Sequence, residues 1–297
     1  MVAGLEPRTR AWVHDALPAG HEIRAVTPMH GGWTSRMCRL DVEGPPGEPY
    51  SLVLRSFLKP FFVRHAPGLL AREAGVLRLL AGTGIPAAHL HAVDPTAEHT
   101  DHPSLLMSLL PGRVDLTADR GAELARQLVD IHKIEAAERP RTYQAWTDPD
   151  RVPIPDQDTA LWRHAVWLVR REPPPYEGRF LHRDFHPGNV LFDGDAVTGV
   201  VDWVETSWGP ADLDVAHCAT AIALLHGPDS GMKFAGHYRT AGGVLGEEHR
   251  YWRLLDALAF APGAEKVAGP WRDLGRTDLT PALLTQRLTD YLAAVVG

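Results

Sequence analysis

Apolar and polar residues alternate through Met37–Val42, the period of a half-buried strand. The apolar run Tyr50–Leu54 follows across the turn sequence Gly44-Pro45-Pro46-Gly47, so the two runs predict a hairpin. From Leu69 to Ala81 the period becomes that of a helix, with Leu70, Leu77 and Leu80 on one side. Gly82 and Gly84 end it and Pro86 lies just beyond. Ser104–Leu110 is apolar and closes at Pro111-Gly112, which predicts a strand leading into a linker. Helical spacing dominates afterwards. Asp119–Ala137 and Asp158–Glu172 predict amphipathic helices, the second stopped by Pro173-Pro174-Pro175. Residues 138–158 are polar and contain proline, and predict a long loop. The segment Phe180–Trp203 is bounded by apolar runs and turns at Asp193-Gly194. Helical patterns fill the chain from Ala211, broken by Gly and Pro near 227, 241, 262 and 269. The reading is α+β: a small β-rich lobe, then a larger helical one.

Composition narrows the class. A chain of 297 residues suggests two domains or two lobes of one fold. It is 44% apolar and 23% charged, ordinary globular usage. With 30 basic against 37 acidic residues it lacks the basic excess expected of a nucleic-acid partner. Cys38 and Cys218 cannot build a disulfide framework, so a reducing cytoplasm is the default compartment. Met1–Ala16 carries Glu6, Arg8, Arg10 and Asp15 and no apolar core of a signal peptide. No apolar run approaches the ~20 residues of a membrane helix, so no membrane partner is expected. Only Lys59, Lys133, Lys233 and Lys266 are lysine; the remaining 26 basic residues are arginine. Chemistry that needs a lysine must use one of these four or accept arginine instead.

The stretch that carries chemistry is Phe180-Leu181-His182-Arg183-Asp184-Phe185-His186-Pro187-Gly188-Asn189-Val190-Leu191-Phe192, followed by Val200-Val201-Asp202-Trp203. Asp184 and Asn189 stand five apart across a Pro-Gly turn. Asn189 opens a strand that turns at Asp193-Gly194 and returns to Asp202, so the hairpin predicts Asn189 and Asp202 at one end, near Asp184. Hard oxygen donors of this kind suit Mg²⁺ completed by phosphates and water. Asp184 is placed to accept a proton from an attacking hydroxyl.

His182-x-Asp184-x-His186-Pro-Gly-Asn189 with Asp202 in an apolar strand resembles the catalytic core of the protein-kinase-like fold, and specifically its aminoglycoside phosphotransferase and choline kinase branch. Asp202 precedes Trp203 rather than Phe-Gly, and Gly209-Pro210-Ala211-Asp212-Leu213-Asp214 leaves no room for an activation segment. Protein substrates are therefore not expected. The resemblance covers roughly residues 26–216. It implies a bilobal fold: an N-lobe over 1–107 with one key helix, a hinge at 108–113, and a mainly helical C-lobe over 114–297 with catalytic loop 182–189. It implies ATP, with GTP as the other candidate, and Mg²⁺ as cofactors. Asp184 would be catalytic, Asn189 and Asp202 would hold the metal, and Asp214 would brace the loop through backbone N–H groups. His30-Gly31-Gly32-Trp33-Thr34-Ser35 takes the position of the phosphate-binding hairpin, with Gly31, Gly32 and Ser35 toward phosphate. Arg55 stands where lysine is usual, with Lys59 as runner-up, and Arg can grip phosphate bidentately. Glu73 falls on the apolar face of its helix and needs a partner, for which Arg55 is the natural choice. Leu106–Gly112 resembles the adenine-binding linker, with the Ser108 carbonyl and Leu110 amide toward the purine.

The function implied is transfer of the γ-phosphate to a hydroxyl of a small molecule, an aminoglycoside or another antibiotic. The alternatives are a catalytically silent kinase-like binding module and a kinase of a metabolic alcohol of the choline, homoserine or sugar type. A further reading takes His182, Asp184 and His186 as ligands of a hydrolytic metal centre. Glu205, Asp212, Asp214, Asp256, Glu265, Asp273 and Asp278 make the helical part acidic, which favours a cationic acceptor. Trp203 and Trp208 are candidates to line the acceptor pocket. His182 is expected to be a buried, loop-holding histidine, His186 to cap or position the turn, and Arg183 to lie at the surface or beside phosphate.

Overall fold

The computed structural model describes residues 4–29, 34–45, 49–261 and 264–297. The chain divides into two units: Met1–Pro111 with Gly199–Val204, and Gly112–Thr198 with Glu205–Gly297.

The first unit holds α1 (Pro7–Ala16), β1 (Glu22–Met29), β2 (Arg36–Glu43), β3 (Tyr50–Ser56), α2 (Pro60–Leu80), β4 (Leu90–Asp94) and β5 (Ser104–Ser108). The strands form one antiparallel sheet in the order β1-β2-β3-β5-β4. The predicted hairpin is β2–β3, with Cys38 opposite Leu54 and Leu40 opposite Leu52. Alternation along β3 decides what each face meets. Leu52 and Leu54 join Val13 and Leu17 of the α1 region in a buried cluster with Leu40, Val42 and Leu106. Val53 and Arg55 point to the opposite face, where Arg55 meets α2.

Helix α2 starts at Pro60 rather than Leu69, with Pro60 in the first turn, where a missing N–H costs nothing. Pro67 interrupts the apolar spacing before Leu70 and hides the earlier turns from a periodicity reading. The segment Gly199–Val204 is stitched into the same unit. The Val200 N–H donates to the Pro86 carbonyl at 2.8 Å, and Arg72 donates to the Val204 carbonyl at 2.8 Å. Trp203 is 1% exposed and its Nε1 donates to the Val200 carbonyl at 3.0 Å. This corrects the expectation that Trp203 lines a pocket: its indole is core.

The second unit contains β6 (Arg113–Val114), α3 (Gly121–His132), α4 (Thr159–Val169), β7 (Gly178–Leu181), β8 (Val190–Asp193), β9 (Ala196–Val200), β10 (Ser207–Pro210), α5 (Ala211–His226), α6 (Pro228–Thr240), α7 (His249–Ala259), α8 (Ala268–Asp273) and α9 (Pro281–Val296). Two short ladders, β7–β10 and β6–β8–β9, hold the ends of the segment 182–189. Helix α5 is buried from Ala211 to Leu225 and packs against α3, α6, α7 and α9. It is buried on every side although it carries Asp212, Asp214 and His217, the position of a central helix rather than a surface one. Residues 138–158 are largely irregular, with one bridge from Thr142 to Trp208 and a 3-10 turn at Pro149–Arg151. Trp208 is half-buried and carries the Arg139 guanidinium 4.7 Å from its ring centre. Cys38 and Cys218 are buried and free. Among the described residues no helix is long and apolar enough to cross a membrane.

Candidate active site

In the first unit the site is built on a buried cation. Arg55 is 6% exposed and Glu73 1%. Arg55 Nη1 donates to Glu73 Oε1 at 2.9 Å and Oε2 at 3.0 Å, and to Asp202 Oδ1 at 3.2 Å. Arg55 Nη2 reaches Thr34 Oγ1 at 3.4 Å. Burial opposes charge on Arg55, but the Asp202 and Glu73 carboxylates outweigh it and raise its pKa. Burial likewise pushes the Glu73 carboxyl up, with Arg55 pulling it back. The ion pair expected from the apolar face of α2 is thus present. Lys59 is exposed at the start of α2. Asp202 holds a left-handed φ of 64°, and its side chain is 38% exposed beyond the Arg55 contact. Gly31 and Gly32 lie outside the described residues. Ser35 Oγ donates to Met37 Sδ at 3.6 Å. Ser108 ends β5, its N–H on the His89 carbonyl at 2.9 Å and its Oγ accepting from the His89 N–H at 2.9 Å. Leu110 follows as irregular chain, after Leu109 donates to the Ser51 carbonyl at 3.0 Å.

In the second unit the loop after β7 is fixed from below. Asp214, on the first turn of α5 and fully buried, accepts the His182 N–H and the Arg183 N–H, each at 2.8 Å. His132 Nε2 lies 3.2 Å from the same carboxylate, and His132 Nδ1 2.7 Å from the Tyr238 hydroxyl. The pKa of Asp214 is lowered: burial would raise it, and His132 overcomes that. The bracing role expected of Asp214 is what its contacts describe. Arg183 takes a φ of 76°, a strained region for a side chain of its size. It is 3% exposed, with its guanidinium 3.9 Å from the Trp146 ring centre and Nη2 on the Gln144 carbonyl. The surface position expected for Arg183 is therefore wrong. The reversed backbone turns the side chain inward under Trp146. His182 is fully buried and its Nδ1 accepts the Asp184 N–H at 3.2 Å, as a loop-holding histidine should.

Asp184 stands above this brace with its side chain 31% exposed. Asn189 Nδ2 donates to the Asp184 carbonyl at 2.9 Å and to Oδ2 at 3.2 Å. Both donations use the amide nitrogen, so the Asn189 amide oxygen faces elsewhere and stays available as an acceptor. His186 caps the 3-10 turn Pro187–Asn189, its Nδ1 accepting the Gly188 N–H at 3.0 Å. His217, from α5, reaches Asp184 Oδ1 with Nε2 at 3.2 Å. Burial would raise the Asp184 pKa. His217, together with the charge of His186, holds it well below the usual carboxylate range. Asp184 is an ionised, oriented, partly open carboxylate.

The ligating atoms of Asp184, His186 and His217 lie within 4.8 Å of one another. The hydrolytic-metal reading takes His182 with Asp184 and His186; His182 is not in this group, and His186 is poorly placed to ligate. His186 Nδ1 accepts the Gly188 N–H, so a neutral His186 carries its proton on Nε2 and has no lone pair to offer there.

An antiparallel sheet bearing a buried Arg–Glu pair, and a helical body presenting an oriented aspartate on a braced loop, define a kinase-like α+β fold. The sequence profile of the phosphotransferase enzyme family matches residues 25–258, so the chain belongs to that family. It is a phosphotransferase of that family, and the resemblance drawn from the His182–Asn189 motif is borne out. No curated protein matches it in sequence. Similar solved structures include a putative aminoglycoside phosphotransferase from Ralstonia eutropha JMP134. It is 18% identical, with TM-score 0.64 and coverage of 96% of this chain and 97% of that one. A macrolide 2'-phosphotransferase type I is 20% identical, with TM-score 0.59, covering 93% and 94%. An amicoumacin kinase in complex with AMP-PNP, Ca²⁺ and Ami is 12% identical, with TM-score 0.57, covering 96% and 92%.

Proposed function

We propose that the enzyme transfers the γ-phosphate of Mg·ATP to a hydroxyl of a small antibiotic-type molecule, with Asp184 orienting that hydroxyl and receiving its proton. The observation that carries the reading is the Asp184 carboxylate itself. It is ionised, gripped by Asn189 and His217, and still open to a ligand. The acceptor oxygen forms its bond to the γ-phosphorus as the bond from that phosphorus to the β,γ-bridging oxygen breaks. The hydroxyl proton passes to Asp184 and then to solvent, and ADP and a phosphate monoester leave. The transition state of phosphoryl transfer is loose, so orientation matters more than base strength. A weakly basic carboxylate is adequate.

The metal-ligand assignment rests on donor chemistry. The free Asn189 amide oxygen and the part-exposed Asp202 carboxylate are hard oxygen donors of the type Mg²⁺ takes. When bound, the ion would neutralise charge on the phosphates. Arg55 would bind phosphate oxygens, with Glu73 fixing its guanidinium, and the Gly31-Gly32 segment and Ser35 would supply further donors. Ser108 and Leu110 would meet the purine. Arg55→Ala is expected to raise KM for ATP, and Arg55→Lys to recover part of the loss. Initial rates against ATP concentration check this. An unchanged KM in Arg55→Ala would transfer the phosphate role to Lys59.

The nature of the acceptor draws support from the three neighbours, whose names span aminoglycoside, macrolide and amicoumacin chemistry. Several of the acidic residues that would attract a cationic acceptor are already paired. Glu205 pairs with Arg141, Asp212 with His249, Asp256 with His217 and Asp278 with Arg276. The test is ³¹P NMR of the protein with Mg·ATP and a panel of aminoglycosides, macrolides, peptide antibiotics and small metabolic alcohols. A phosphomonoester resonance that needs one acceptor, and is absent with Asp202→Ala, is the expected result. A resonance only with a metabolic alcohol would replace the antibiotic reading. No ATP consumption by folded protein would replace the enzyme with a silent binding module.

A further inference from the structure

We propose that His217 is the positioning residue of Asp184, held for that task by Asp256 on α7; the inference rests on the catalytic assignment of Asp184 above. His217 is buried on α5, its side chain 6% exposed. Its Nε2 lies 3.2 Å from Asp184 Oδ1 and its Nδ1 3.1 Å from Asp256 Oδ1. One ring therefore bridges two carboxylates through both of its nitrogens. A neutral imidazole donates from only one nitrogen, so one carboxylate would then face a lone pair. Both contacts are satisfied only when the ring carries two protons.

The surroundings agree. The charged and titratable groups facing His217 are Asp184, Asp256 and His186, whose ring centre lies 5.8 Å away. Trp146 lies nearly perpendicular to the ring, centre to centre 4.9 Å, and Phe260 stacks at 5.8 Å. Arg183 lies beyond Trp146, and Lys266 over the far ring, Phe260. Burial among these rings would lower the imidazole's pKa. The Asp256 and Asp184 carboxylates outweigh burial and push it up to about 9. His217 is thus an imidazolium at neutral pH.

Asp256 has a second peculiarity. It is 4% exposed, and its Oδ2 is buried without a hydrogen-bond partner among the described residues. A buried carboxylate with so few polar partners is costly to keep. Its hydrogen-bonded contact is His217, and its charge also acts on the buried Arg183 guanidinium, so it holds the His217 ring from within a buried charged group. The consequence for Asp184 is geometric. His217 takes Oδ1 and Asn189 takes Oδ2, which locks the carboxylate's rotation and aims its open side. His217 keeps both protons through the reaction and is not consumed. The hydroxyl proton goes to Asp184 and to solvent.

The test uses the full chain, Mg·ATP and water as acceptor, with ADP release as the readout and thermal unfolding as a check on folding. His217→Ala is expected to lower kcat about 10- to 100-fold, the effect of a misplaced reacting group, with KM for ATP unchanged. His217→Gln and Asp256→Asn should lose less in the same direction, and added imidazole should restore part of the kcat of His217→Ala. Wild-type kcat in folded His217→Ala, or a loss that imidazole does not relieve, overturns the proposal. If Asp184→Asn itself keeps full turnover, the catalytic assignment fails instead. Should the variants not fold, ¹⁵N NMR of the wild-type histidines decides. Two protonated ring nitrogens on His217 at pH 7 are expected, and a neutral ring overturns the proposal.

Discussion

Asp184→Asn is expected to lower kcat by about 10²- to 10⁴-fold, the range a positioned proton acceptor contributes. The substitution keeps the size of the side chain but only one of its two acceptor oxygens, and turns an amide NH₂ toward His217 or Asn189. It removes the one property the reaction asks for, an anionic oxygen that can take the hydroxyl proton. KM for ATP should stay close to wild type, because the residues proposed to hold phosphate, Arg55 with Glu73, belong to the first unit and do not involve Asp184. Steady-state kinetics at saturating acceptor, or ADP release with water as acceptor, separate the two constants. A variant that raises KM while keeping kcat would make Asp184 a binding group and leave the proton without a destination.

The second large effect is structural. Asp214→Ala should destabilise the fold by about 3–5 kcal/mol, as removal of one member of a buried charged network does. Asp214 is fully buried and accepts three donors: the His182 N–H, the Arg183 N–H and His132 Nε2. Truncation strands all three, and Arg183 is already held at positive φ. Asp214→Asn keeps one acceptor oxygen but turns an amide NH₂ toward a donor, so it should fall between. Urea unfolding reads this as a lower midpoint at constant slope. A shift worth less than about 1 kcal/mol, the value of one ordinary hydrogen bond, would show that the loop does not depend on Asp214.

Much of this site is legible in local pattern. The β2–β3 hairpin follows from alternation and a Gly-Pro turn, and Glu73 betrays itself as a carboxylate among leucines. That it meets Arg55 follows because a buried acid needs a cation and β3 offers one. The same pairing removes the only sequence feature that favours a silent module, since Arg55 occupies the expected ion pair despite not being lysine. Asp184 and Asn189 likewise announce themselves through their five-residue spacing across the Pro187-Gly188 turn.

His217 and Asp256 are invisible in the sequence for a definable reason. They sit on different helices, and only tertiary packing brings each to the other. His217 lies in a helix buried on every side, so no polar stripe marks it. Asp256 reads as surface charge in a count of acidic residues, yet it is 4% exposed. Net charge does not reveal which carboxylates are already paired. Strands β1 and β4 give no clear signal because their residues are mostly part-exposed and carry little apolar alternation. Arg183 escapes a pattern reading because a left-handed residue sends its side chain where a strand or turn pattern does not predict.

The first unit is not one continuous stretch of chain. It closes only when Gly199–Val204 returns to Pro86 and Arg72. On a ribosome adding about 5–20 residues per second, the roughly 90 residues between Pro111 and Gly199 take about 5–20 s to make. Through that interval the growing chain has Arg55 and Glu73 but not yet Asp202, Trp203 or the strip that carries them. Division of the gene at the boundary after Pro111 would therefore yield no self-sufficient half. The nascent N-terminal unit, its sheet already complete, must wait for a segment that is synthesised after loop 182–189.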